Sequence, residues 1–211
     1  ADAWIRKKWL WEDKASADVA STVLAYVVEP ASMMGLLAVA GADEKAIGGF
    51  PVDALLVMEA TVIAGNVNQL AKYGFARERP FVHFLPRAPS EVRGLTDSPS
   101  DDNLSFFSGH ATLAFALATA SGTIASLREY RLAPVVWGSG LALAGTVGYL
   151  RIAADKHYFS DVVTAALVGS AIGIGVPLLF HSARPAEAPP GVTAQPLAPA
   201  VRNAISIGGA F

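Results

Sequence analysis

Cysteine is absent from the 211 residues. Disulfides, thiolate catalysis and Cys-ligated zinc are therefore excluded, and the zero is compatible with an oxidising compartment. Charge is scarce as well. Asp, Glu, Lys and Arg make up 16% of the chain against 53% hydrophobic residues, which rules out a disordered polypeptide. Neither sign dominates: 16 Lys and Arg face 18 Asp and Glu, for a net charge of −2. There is no basic footprint for nucleic acid. A Walker loop and a Gly-x-Ser-x-Gly elbow are missing, and the four His and scattered acids have no metal-ligand spacing. No metal or other cofactor is expected. The chain begins at Ala1, which reads as a processed or trimmed start, and no signal-peptide pattern stands there.

What the sequence does have is apolar length. Five stretches stand out: Val19–Gly41, Val52–Ala71, Ala111–Leu127, Ala133–Leu150 and Val162–Phe180. None alternates with period two, and their lengths favour helices. Glu29-Pro30 interrupts the first stretch, which predicts two shorter helices meeting at Pro30. The fold class expected is all-α, a single bundle of about six helices over residues 1–182. Ala165, Gly169 and Gly173, and likewise Gly140, Ala144 and Gly148, recur at four-residue spacing, a pattern for close helix approach. From Ala183 to Phe211 the chain is a Pro- and Ala-rich tail, read as a linker followed by a short extended segment, Ala204–Phe211. The segment Trp4–Trp11 mixes three Trp with three cations. It suits either a helix at a membrane interface or an amphipathic cap on the domain.

Hydropathy leaves the membrane question on its border. Val162–Phe180 is apolar enough to span, but the other stretches lie at or below the usual threshold. Val52–Ala71 carries Asp53, Glu59, Asn66, Asn68 and Gln69, each costly in lipid unless turned inward. Several stretches also fall short of the roughly 20 residues that cross a bilayer. These features tip the expectation slightly toward a soluble or membrane-associated bundle over a multi-pass protein.

Three clusters carry chemistry. Lys72–Pro80 places Lys72 and Arg79 seven residues apart, on one face if the helix continues, where two cations can hold a multivalent anion. Ser108-Gly109-His110 opens the third long stretch with a capping hydroxyl, a glycine that admits a ligand to the backbone, and a proton carrier at a positive helix end. Arg151–Asp161 adds a third cation and sets His157 four residues before Asp161. In that geometry a carboxylate can fix one ring nitrogen and leave the other as nucleophile or base. Each cluster alone also suits helix-end compensation, an ordinary N-cap or a surface helix start. Together they suit phosphoryl transfer through a phosphohistidine, with cations on the equatorial oxygens, one His attacking and the other protonating the leaving oxygen. The connection Phe81–Phe107, with Pro86, Pro89, Gly94, Pro99 and Asp101-Asp102, is too long for a mere link. It is expected to border the mouth of the site and govern substrate choice.

Lys-x6-Arg-Pro, then Ser-Gly-His, then Arg-x5-His-x3-Asp, in that order across Lys72–Asp161, resembles the three-part signature of the type 2 phosphatidic acid phosphatase family. Its superfamily includes bacterial acid phosphatases and vanadium haloperoxidases. The resemblance implies that His157 is the nucleophile, Asp161 its orienting partner and His110 the general acid. Lys72, Arg79, Arg151, Ser108 and the Gly109 N–H would bind phosphate. It implies a phosphorylated substrate, a lipid phosphate first of all, and membrane association with the site facing an extracytoplasmic or periplasmic compartment. A soluble acid phosphatase of broad specificity is the alternative; haloperoxidases use the same anion cradle on much longer chains. The sequence departs from the family at Phe107, where Pro is usual, and at Leu150, where Ser is usual. Both departures bear on substrate subclass more than on activity.

Overall fold

Long runs rich in Ala and Leu fold into helices because these residues favour the backbone ladder, and Pro30 and Pro177 are carried within continuous helices. The structure is a computed structural model, and it describes residues 1–84 and 101–180. In chain order the helices are α1 (Asp2–Trp9), α2 (Lys14–Val23), α3 (Glu29–Asp43), α4 (Phe50–Phe75), the single turn α5 (Pro80–His83), α6 (Gly109–Leu127), α7 (Ala133–Ala153) and α8 (Phe159–Phe180). No strand occurs among the described residues. The tail from Ala183 and the middle of the Phe81–Phe107 connection, residues 85–100, lie outside them.

The break foreseen at Pro30 does not divide the first stretch. α2 and α3 run on as one helix, Lys14–Asp43, through a π turn at Leu24–Val28. Pro30 has no N–H for the carbonyl of Tyr26, and its ring crowds that carbonyl. The wider π turn just before it takes up the misfit without ending the helix. Counted so, and leaving out the one-turn α5, the described residues form six helices.

α6 is the central helix. It packs on α8, α7, α4 and α3, and 13 of its 19 residues are buried. Close approach to it depends on the small-residue stripes. A Cβ at Gly173 of α8 would lie 2.2 Å from Thr119 Oγ1 and 2.4 Å from the Ala116 carbonyl. On α7, a Cβ at Gly140 would lie 3.0 Å from the Ala118 Cβ. Small residues are frequent in the interior beside Met33, Leu37, Val57, Ile124 and Val136, while many other large apolar side chains face outward. Leu55, Met58 and Val62 of α4 and Leu167, Leu178 and Leu179 of α8 are all more than half exposed. This inversion of the soluble-protein pattern suits helices packed inside lipid.

Five helical segments are long and apolar enough to cross a membrane: Lys14–Asp43, Ile47–His83, Gly109–Leu127, Ala133–Ala153 and Phe159–Phe180. The lean away from a multi-pass protein is therefore reversed. Polar residues that argued against α4 find partners within the fold. Asp53 accepts from Arg128 Nη2 at 2.7 Å and Nε at 3.0 Å, Asn68 donates to the Phe107 carbonyl at 2.7 Å, and Asn66 bonds its own helix at Val62. Glu59 stays on the outer face. The helices also outrun the apolar windows, because their polar ends carry the site.

Candidate active site

The three motifs meet at one end of the bundle, around a cavity of about 360 Å³. Lys72 enters from the last turn of α4 and Arg79 from the residue capping α5. Gly109 and His110 form the first turn of α6, and Arg151 lies in the last turn of α7. Lys156 and His157 follow on the loop to α8. Four cations, Lys72, Arg79, Arg151 and Lys156, and two carboxylates, Asp18 and Asp101, line it among the described residues. The surplus of two positive charges matches a phosphomonoester at neutral pH, which carries about −1.5 to −2.

Lys72 and Arg79 do not share a helix face. α4 ends at Phe75, where Ala76 turns into the left-handed region at φ 43 and its N–H returns to the Lys72 carbonyl at 3.1 Å. Pro80 then holds Arg79 extended, as a following proline disfavours the helical region. The two cations reach the cavity from different directions. Arg79 is 4% exposed and fixed on three sides. Nε donates to the Asp101 carbonyl at 2.9 Å, Nη2 to the Asp101 carboxylate at 2.8 Å and Nη1 to the Lys156 carbonyl at 3.1 Å. Nη1 also stands 3.5 Å from His157 Nε2.

His157 sits in the loop before α8, which begins at Phe159, so its pairing with Asp161 is not a helix-face contact. Its Nδ1 lies 2.8 Å from the Ser105 carbonyl and 3.7 Å from Asp161 Oδ2. A carbonyl only accepts, so Nδ1 carries the proton and the Nε2 lone pair faces Arg79. The orienting bond expected from Asp161 is thus made by Ser105. Asp161, fully buried, holds Ser105 in turn: it accepts from Ser105 Oγ at 2.6 Å, from the Tyr158 N–H at 3.0 Å and from Arg77 Nη1 at 2.5 Å. Burial, then the charges of Arg79, Arg151 and Lys72, push His157 well below the ordinary value of 6.5. The ring is neutral through the physiological range, which keeps its lone pair available.

A stability consequence follows. The unfolded chain takes up a proton on this ring as pH falls through about 6.5, while the folded chain resists until much lower pH. Stability is therefore lost progressively on acidification below that value. The thermal midpoint of wild type should fall faster than that of His157→Ala between pH 7.5 and 5, narrowing the gap between them. A constant gap would remove the shift.

At the start of α6, Ser108 is the N-cap, its Oγ accepting the Ala111 N–H at 3.4 Å. It is fully buried and is not among the residues lining the cavity. Its hydroxyl is engaged in capping the helix whose first turn presents Gly109 and His110 to the cavity. A Cβ at Gly109 would come 3.1 Å from Asn68 Oδ1 and 3.5 Å from Lys72 Nζ, crowding the ends of both side chains beside the cavity. His110 Nε2 lies 3.2 Å from Thr22 Oγ1, and its ring meets Tyr26 edge-on at 4.9 Å. Arg151 is 3% exposed; Nη1 donates to the Asp18 carboxylate and to Ser21 Oγ at 2.9 Å, while its buried Nε has no hydrogen-bond partner among the described residues.

Sequence reading gave no role to Asp18, Asn68, Arg77 or Ser105, although Arg77 lies inside the first motif and Ser105 just ahead of the second. Asp101, expected near the mouth with Asp102, lines the cavity and holds Arg79. Most of the Trp-rich segment lies in α1, which caps the end of the bundle that carries the cavity while keeping Trp4 exposed. Arg6 Nε and Nη2 grip the Asp155 carboxylate, each at 2.6 Å, and Lys14 adds a contact at 2.9 Å.

An all-helical bundle whose helix ends gather several cations and two His around one cavity defines a class of phosphate-handling protein. The profile of the PAP2 superfamily matches residues 53–185, more than half of the chain, and the protein belongs to that superfamily. A solved structure described as the first transmembrane PAP2 type phosphatidylglycerolphosphate phosphatase from Bacillus subtilis has the same fold. Its TM-score is 0.56 at 19% identity, over 84% of this chain and 83% of that one. Among curated proteins none matches.

Proposed function

We propose that this protein is a membrane phosphatase that hydrolyses phosphomonoester or diphosphate bonds of lipids through a phosphohistidine, without a metal. The observation that carries the mechanism is His157. Its Nδ1 proton is tied to the Ser105 carbonyl, and its Nε2 lone pair faces the cationic cavity beside Arg79. Nε2 attacks phosphorus as the bond to the leaving oxygen breaks, and His110 gives that oxygen its proton. Lys72, Arg79, Arg151 and the Gly109 N–H hold the equatorial oxygens. The phosphorylated ring is cationic, and buried Asp161 nearby offsets that charge. Water then attacks phosphorus, His110 takes its proton, and the P–N bond breaks to release phosphate and restore His157.

Lipid as the substrate class is supported by the cavity's wall. Tyr26 is half exposed while lining it, together with Gly65 and Leu113, residues of apolar helices. α2 packs on α7 whereas α4 packs on α6 and α8, so the two flank the cavity from different sides. The apolar outer surface disfavours the soluble acid-phosphatase reading. Membership of the superfamily and the described activity of the B. subtilis relative support a phosphorylated lipid as substrate, and an extracytoplasmic, periplasm-facing site is what the resemblance to the family implies.

The test is phosphate release in detergent or nanodiscs from phosphatidylglycerol phosphate, phosphatidate, a polyprenyl diphosphate and a soluble phosphomonoester. Orthovanadate should inhibit as a mimic of the five-coordinate state, and EDTA should not. Acid quenching should trap phosphate on His157. Activity lost in chelator and restored by a divalent cation would overturn the metal-free mechanism; faster hydrolysis of the soluble ester than of every lipid would overturn the substrate class.

A further inference from the structure

Arg77 lies inside the first motif at a position the motif leaves open, yet both its backbone and its side chain converge on the nucleophile's support. Its carbonyl accepts the Ser105 N–H at 2.9 Å. Its Nη1 donates to Asp161 Oδ1 at 2.5 Å, and Asp161 Oδ2 accepts the Ser105 hydroxyl at 2.6 Å. Ser105 is thus held at N–H and hydroxyl by one residue, directly or through one carboxylate, and its carbonyl is the group that fixes His157 Nδ1. Arg77 is itself tied down. It stacks 4.0 Å over the Tyr158 ring, donates to Ser160 Oγ at 2.9 Å, and its Nη2 meets Asp2 of α1 at 3.2 Å. Asp2 accepts in turn from the Ser160 N–H at 2.9 Å and hydroxyl at 2.7 Å.

We infer that Arg77 is a positioning residue, anchored on α1 through Asp2, that orients the His157 ring by way of Asp161 and Ser105. This rests on His157 being the nucleophile. The planar guanidinium is needed because one fork must serve Asp161 and Asp2 at once; a lysine supplies a single point of charge. Arg77 touches no cavity-lining atom named above, so its loss acts on turnover and leaves substrate binding intact.

Arg77→Met leaves the Asp161 charge buried and unpaired, which threatens folding. The decisive set is therefore Arg77→Lys, Asp161→Asn, and the double variant Arg77→Met/Asp161→Asn, in which both charges are gone. Asp2→Asn probes the anchor. Steady-state kinetics in nanodiscs should give Arg77→Lys a kcat about 10-fold below wild type with KM within about two-fold. Asp2→Asn should lose less, in the same direction. Arg77→Met should add less than about two-fold to the loss caused by Asp161→Asn, because both residues act along one chain. The His157 Nδ1–H resonance should shift in each variant. Wild-type kcat in Arg77→Lys, a loss confined to KM, or a loss that multiplies with that of Asp161→Asn would overturn the inference. An active His157→Ala control would instead overturn the nucleophile assignment, whatever Arg77 does.

Discussion

Replacing His157 with Ala is expected to lower turnover by about 10,000-fold or more, with the fold retained. The ring is 3% exposed, and its Nε2 is the ring nitrogen that stands 3.5 Å from Arg79 Nη1 among the described residues. Cations that remain in place would still bind the substrate, so KM should change little and vanadate should still bind. Phosphate trapped by acid quench in wild type should be missing from the variant. Turnover within about 100-fold of wild type would show that the ring is not the attacking group.

Arg79→Lys is expected to cost about 100- to 1,000-fold in kcat/KM, although the charge is kept. Lysine cannot reproduce three donors in one plane. The part-buried Asp101 and Lys156 carbonyls would lose these partners, at about 1 kcal/mol for each hydrogen bond. The Lys156 carbonyl immediately precedes His157, so the nucleophile's own loop would loosen. The measurements are vanadate affinity, which should fall in parallel, and the thermal midpoint, which should also fall. A variant with unchanged vanadate affinity would place Arg79 outside the phosphate cradle.

How legible the site was differs residue by residue. Lys72, Arg79, Gly109, His110, Arg151 and His157 could be named because each lies in a short motif whose residue types already state a chemistry. The structure brings all six to one cavity. Ser108 could be found as a cap but not separated from a phosphate ligand, since a hydroxyl at a helix start serves either use. Asp161 could be paired with His157 by spacing, yet the spacing assumed a helix that begins two residues after the His. Ser105, which makes the ring's hydrogen bond, is 52 residues from it in the chain, and nothing local signals that its carbonyl points there. Asp18 is farther still from Arg151, at 133 residues.

The fold divides in the same way. The sequence by itself determined an all-helical bundle, its tight small-residue seams and the three motifs that meet at the cavity, because these depend on local propensity, on the absence of a Cβ and on residue type. Only the tertiary structure decided which way each helix faces. With apolar residues on all sides, periodicity carries no direction, and the choice of Gly173 for the seam and Leu179 for the outside is made by fit against α6. It also decided that α4 can cross a membrane, since Asp53 and Asn68 are tolerable only once Arg128 and the Phe107 carbonyl meet them. And it decided which atom holds the His157 ring, because a hydrogen bond depends on distance in space and not on separation along the chain.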